Sequence, residues 1–168
     1  MALAQYLKEH AYQVATCTID TEDYVFASAY SRALSTGEKS MSDKIKEAYL
    51  EYSATETDLY AALNRQVLSY EPPQVMLLHE SLLNADSADE LLNLFRIRGY
   101  SFVSLTQAQS DPAYAIPDTY VTKYGPMWGY RWAIEGHIGR IGSRETEPPP
   151  WIVEYAASNP VEDPSPKH

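Results

Sequence analysis

The sequence predicts an α/β fold built around a parallel sheet or barrel, and three observations carry that expectation. Short apolar stretches alternate with longer ones of helical periodicity, in the order strand, helix, strand, helix, strand, which suits right-handed βαβ units. The clearest short stretch, Val75-Met76-Leu77-Leu78-His79, is a continuous apolar run of the kind found in strands covered on both faces. It ends in a polar residue, at the strand terminus where βα sheets gather their chemistry.

The elements follow in order. The opening residues, ending Tyr6-Leu7-Lys8-Glu9-His10, read as the last turns of a helix, as though the chain began within a fold. Tyr12 to Ile19 is rich in β-branched and aromatic residues and short for a helix, so it reads as a buried strand opening into a loop at Asp20. Tyr24 to about Leu34 has a helical pattern, punctuated by Ser35-Thr36-Gly37. A long helix follows, with Ile45, Ala48, Tyr49, Tyr52, Leu59, Leu63 and Val67 at three- and four-residue spacings, until Glu71-Pro72-Pro73 ends it. After the second strand, Ser87-Ala88-Asp89-Glu90 forms a capping box that would start a helix running through Leu91, Leu92, Leu94 and Phe95. Arg96, Arg98 and Gly99 mark its end. Tyr100 to Leu105 is the third strand.

Beyond Gln109 the chain is irregular, with Asp111-Pro112, Ile116-Pro117-Asp118 and Tyr124-Gly125-Pro126 leading to an aromatic knot of Trp128, Tyr130 and Trp132. Three segments result: residues 1–110 as the main domain, 111–145 as an aromatic-rich extension packed on it, and 146–168 as a proline-rich tail expected to be extended or disordered.

Length and a 45% hydrophobic content suffice for one domain with a sizeable core. A net charge of −10 repels phosphate backbones and anionic headgroups, which argues against nucleic acid and membrane partners. No run approaches the ~20 apolar residues of a membrane helix and no signal peptide opens the chain, so as written it is expected to be cytoplasmic. A secretion signal could belong to a longer parent protein. Fourteen tyrosines and three tryptophans exceed what a core of this size needs, placing some on a groove or an interface. The single cysteine, Cys17, excludes an intramolecular disulfide and reads as a small buried hydrophobe.

Two ionisable clusters close predicted strands: Asp20-Thr21-Glu22-Asp23-Tyr24, and His79 with Glu80. Parallel neighbours would bring them together. An imidazole hydrogen-bonded by a carboxylate keeps one tautomer, and its protonated form can donate to a leaving group. The plainer reading makes the aspartates a turn and helix cap, and His79 a strand-end histidine satisfied by a backbone carbonyl.

D-x-x-D-aromatic (Asp20, Asp23, Tyr24) followed by V-x-L-x-H (Val75, Leu77, His79) resembles the fourth and fifth motifs of the polysaccharide deacetylases, the NodB-homology group of carbohydrate esterases. The run from His79 to Leu105 looks like the closing stretch of such domains. Asp111-Pro112-Ala113-Tyr114, Asp118-Thr119-Tyr120 and Trp128 to Trp132 look like the extension of one bacterial branch. The resemblance covers most of Leu3 to about Gly136 and rests on the ensemble of motifs.

The resemblance implies the last strands and helices of a distorted (β/α) barrel. It also implies metal-dependent hydrolysis of N-acetyl or related amide C–N bonds on carbohydrate. His79 would be the leaving-group acid and Asp23 would orient it. Leu77 would line the pocket for the acetyl methyl group, and Tyr24 would stand where the family places tryptophan on the wall of the sugar groove. Asp20 would shape the loop.

The metal and base motifs that precede the fourth motif in the family are missing, and the histidines His10, His79, His137 and His168 contain no i,i+4 pair. No metal is expected to bind this chain; zinc or another divalent metal is implied for the complete family enzyme, and the chain alone is expected to be inactive. It would be the carboxy-terminal part of a deacetylase, either a fragment awaiting an amino-terminal partner or the product of a shortened gene. The alternative is a non-catalytic interaction or oligomerisation module whose uncovered strand edge pairs with another copy. A third reading is an unrelated α/β domain whose Asp and His residues are merely structural; Asp23 and His79 more than ~8 Å apart would lie beyond hydrogen-bond reach even through one water, and the site idea would go.

Overall fold

The computed structural model describes residues 2–120, 125–136 and 145–158. Among these the fold is helical: α1 (Ala2–Glu9), α2 (Asp23–Ser35), α3 (Lys39–Leu68), α4 (Leu82–Ile97), α5 (Leu105–Ala108), α6 (Trp128–Glu135) and α7 (Pro150–Ala157). The expectation of an α/β sheet, and with it the partial TIM-barrel-like architecture implied by the resemblance, is overturned. Among the described residues the recorded pairing of extended chain is one parallel bridge between Ile19 and Met76. Thr18 N donates to Val75 O (2.7 Å) and Leu77 N to Ile19 O (3.0 Å).

The three expected strands fail for related reasons. An apolar run becomes a strand only where a neighbour pairs with its backbone and a layer covers its face. Tyr12 and Val14, expected to be buried, are 63% and 60% exposed outside any helix or strand. Val75 to His79 is extended but joins only the bridge. Phe102 and Val103 are exposed, and Leu105 opens a short helix instead of closing a strand. The cores are built mainly from helix faces, with Ile19 and Met76 of the bridge contributing to the first.

The chain divides into two compact units of interleaved segments, a division that does not follow the three sequence segments. The first combines Met1–Thr21, Thr55–Leu77 and Gly99–Glu145. Its core gathers Ile19, Tyr60 and Leu63, with Leu59, Val67, Met76, Met127 and Tyr130 packed against them. In the aromatic knot Trp132 is buried edge-on to Tyr114 (5.6 Å between centroids), while the Arg131 guanidinium lies 4.1 Å from the Trp128 ring centroid and pairs with Asp118 at 2.7 Å. Both tryptophans have partners within the knot. Cys17 is half-buried, and burial together with the charge of Asp20 pushes its thiol pKa up, which disfavours the reactive thiolate.

The second unit combines Glu22–Ala54, Leu78–Arg98 and Thr146–His168. Helix α2 packs on α4 and on α7. Phe26, Ala29, Tyr30 and Ala33 of α2 are buried with Ile45, Tyr49 and Tyr52 of α3, Leu83, Leu91 and Phe95 of α4, and Ile152 of α7. Tyr30 donates to Asp86 Oδ2 at 2.8 Å, and burial followed by that bond pushes its phenol pKa up to about 12.

Two boundaries differ from the sequence reading. Helix α4 begins at Leu82, where Ser81 caps it by accepting from Asn84 N (3.1 Å), so the Ser87 capping box is not the start. Ser87 is buried inside the helix and its hydroxyl bonds back to Leu83 O, a use of serine that competes with capping. Residues 150–157, expected within a disordered tail, form α7 because Pro150 suits a first helical turn and Ile152 buries completely. Lys44 sits 4.4 Å from the Trp151 ring centroid, and Tyr155 donates to Glu38 (3.1 Å). The rest of the tail, residues 159–168, lies outside the described residues, as does His137.

Gly129 of α6 is where the first unit tolerates no side chain. A methyl group there would fall inside contact distance of Asn64 Oδ1 and 2.8 Å from Leu63 Cδ2, and both of these residues are fully buried. Gly129→Ala should therefore destabilise the protein by about 1–2 kcal/mol, even though alanine is the better helix former. Urea denaturation checks this, and an unchanged or raised midpoint would contradict the packing described.

Candidate functional site

The second unit places Asp23 and His79 together. Asp23 opens α2, immediately after Glu22, whose φ of +45° lies in the left-handed region that costs a non-glycine residue on the order of 1 kcal/mol. That strained residue turns the chain sharply into the helix and directs Asp23 inward, where its side chain is fully buried.

The Asp23 carboxylate is filled with donors. Oδ1 faces His79 Nδ1 at 2.7 Å. Oδ2 accepts the His79 backbone N–H at 2.7 Å and the Asn84 side-chain amide at 2.5 Å. The Asn84 amide also donates to His79 O (2.8 Å), and its Oδ1 accepts from the hydroxyl of Tyr49 (2.7 Å). The His79 side chain is 50% exposed although its Nδ1 is held from below. The Tyr24 ring, also exposed, stands edge-on to the imidazole with centroids 5.9 Å apart. A buried carboxylate gripping one nitrogen of a half-exposed imidazole is an arrangement suited to moving a proton at the other nitrogen.

Of the residues expected from sequence, Asp23, Tyr24 and His79 come together. Leu77 belongs to the first unit, half-buried, with its N–H engaged by Ile19. Asp20 also belongs to the first unit, and it has interactions of its own. Two members of the constellation, Asn84 and Tyr49, were not foreseen. The available signal was Ser81-Leu82-Leu83-Asn84, a serine three residues before a polar side chain at a helix start, but Ser87-to-Glu90 competed for the same role.

Among the described residues no three His, Cys, Asp or Glu side chains gather as metal ligands would. No described helix is long and apolar enough to cross a membrane. The chain matches no protein-family model, no curated protein and no solved structure.

Removing the carboxylate strips the acceptor from the His79 backbone amide and from Asn84 together. Asp23→Ala should cost about 3 kcal/mol by urea denaturation. A loss below about 1 kcal/mol would mean that these donors find equivalent partners elsewhere.

Proposed function

We propose that the Asp23–His79 pair is the proton-donating end of a site that hydrolyses amide bonds of N-acylated carbohydrate. The observation that carries this reading is the 2.7 Å contact between a fully buried carboxylate and Nδ1 of a half-exposed imidazole. The D-x-x-D-aromatic and V-x-L-x-H motifs supply the substrate class by resemblance. In this reading Nε2–H of the protonated imidazole gives its proton to the departing amine as the C–N bond breaks, and Asp23 keeps the ring in place. Tyr24 offers an exposed ring against which a sugar can lie. The residues that activate water, and ligands for any divalent metal, would come from an additional stretch of polypeptide or a second copy of the chain.

A second reading, a non-catalytic interaction or oligomerisation module, has the exposure of Tyr12 and Val14 in its favour. The two readings part in one experiment. Glucosamine and N-acetylglucosamine oligomers are titrated against the full chain while the His79 ring resonances are followed, and acetate release is measured with added zinc and with a chelator. The proposal expects saturable shifts at His79, weakened about five- to tenfold in Tyr24→Ala as one stacking contact of roughly 1 kcal/mol is lost. It expects no acetate release by the chain alone. Absence of any shift at millimolar sugar would overturn the carbohydrate reading, and acetate release that survives His79→Ala would overturn the assignment of the acid.

A further inference from the structure

We infer that Asn84, anchored by Tyr49, is a positioning residue that fixes His79 in its Nδ1–H tautomer and so makes Nε2 the nitrogen offered to a substrate. The inference deepens the proton-donor reading and rests on it for its catalytic meaning, but its geometry stands alone.

Asn84 has one orientation that satisfies its surroundings. Its Nδ2 faces two acceptors, Asp23 Oδ2 and His79 O, at 2.5 and 2.8 Å. A reversed amide would set its oxygen against both and repel them. In the observed orientation its Oδ1 accepts from Tyr49, which is wholly buried and packed against Phe26 with ring centroids 5.6 Å apart. The Asn84 backbone is held by the Ser81 hydroxyl at 3.1 Å. Neither end of the side chain is free to turn.

The consequence passes to the carboxylate. Asp23 Oδ2 already accepts two N–H donors, Asn84 and the His79 backbone, which holds Oδ1 towards the ring. A carboxylate has only acceptors to offer at Oδ1, so Nδ1 must carry the hydrogen at the 2.7 Å contact. A bare Nδ1 there would bring two lone pairs together. When the protonated ring gives its Nε2 proton to a leaving amine, the neutral ring that remains is the Nδ1–H form, and the same Nε2 can take a proton back. Without Asn84 the carboxylate can swing, and the Nε2–H tautomer becomes accessible.

The test reads the tautomer directly, from the ring nitrogen chemical shifts of His79 in the free, full-length protein at a pH where the imidazole is neutral. Wild type should show a protonated Nδ1 and a bare Nε2. Tyr49→Phe, which removes one hydroxyl, and Asn84→Asp, which keeps shape but removes the donor, should both lose that uniform signature and show mixed or exchange-broadened nitrogens. Asn84→Ala should do so most completely. A folded Asn84→Ala and Tyr49→Phe with the wild-type signature would overturn the inference. So would unfolding of all three variants, which would make Asn84 a structural fastener alone. No sugar enters this measurement, so its failure would leave carbohydrate binding standing, and failed sugar binding would leave the tautomer result standing.

Discussion

Asp23 accepts hydrogen bonds from a backbone amide, an imidazole and a side-chain amide while its own side chain is shielded from solvent. A buried carboxyl group is tolerable only when its acceptor capacity is met, and here each donor comes from a segment that must be correctly placed to supply it. His79 closes the extended run before α4, and Asn84 sits in the first turn of α4. One side chain at the start of α2 therefore fixes where α4 begins, how His79 is presented and which way Asn84 points. The left-handed Glu22 beside it is the local strain that this network overcomes.

The helices of the second unit complete what that contact begins. Tyr49 of α3 is at once a core aromatic against Phe26 and the hydrogen-bond donor that orients Asn84, so packing and site geometry are one arrangement. Lys46, one turn away, reaches α4 by donating to Asp86 O (2.8 Å) and pairing with Glu90 (2.6 Å), which adds a half-exposed tie of modest strength between the same two helices. Precise chemistry is best supported on rigid elements, and here Asp23 stands at a helix start backed by buried rings while His79 is held to it from the loop before α4.

Helical periodicity was legible: α2, the long α3 and the end of α4 at Gly99, whose φ of +84° suits glycine, follow from apolar spacing and punctuation. The strands were not, because a β-branched run such as Tyr12 to Ile19 has the same composition whether or not a neighbour pairs with it. What decides is tertiary context that one sequence does not display. The same limit explains α7, where three prolines hid a helix that Ile152 pins to its unit. Asp23 and His79 were legible as motif residues, and their proximity was argued from adjacent parallel strands. They meet instead through a helix start and a loop. Asn84 and Tyr49 were not legible, because an asparagine in a first turn and a tyrosine on an apolar face have ordinary roles that spacing cannot separate from this one.

The most direct measurement of this account is hydrogen exchange at the His79 backbone amide. That amide belongs to an exposed residue before a helix, where rapid exchange is the rule, yet it donates to a buried carboxylate. The account predicts that it exchanges at least about a hundredfold more slowly than in an unstructured peptide, on the strength of roughly 3 kcal/mol for opening the Asp23 network. Exchange at the rate of unstructured chain would contradict it, because Asp23 would then not be the fastening on which His79, Asn84 and the start of α4 depend.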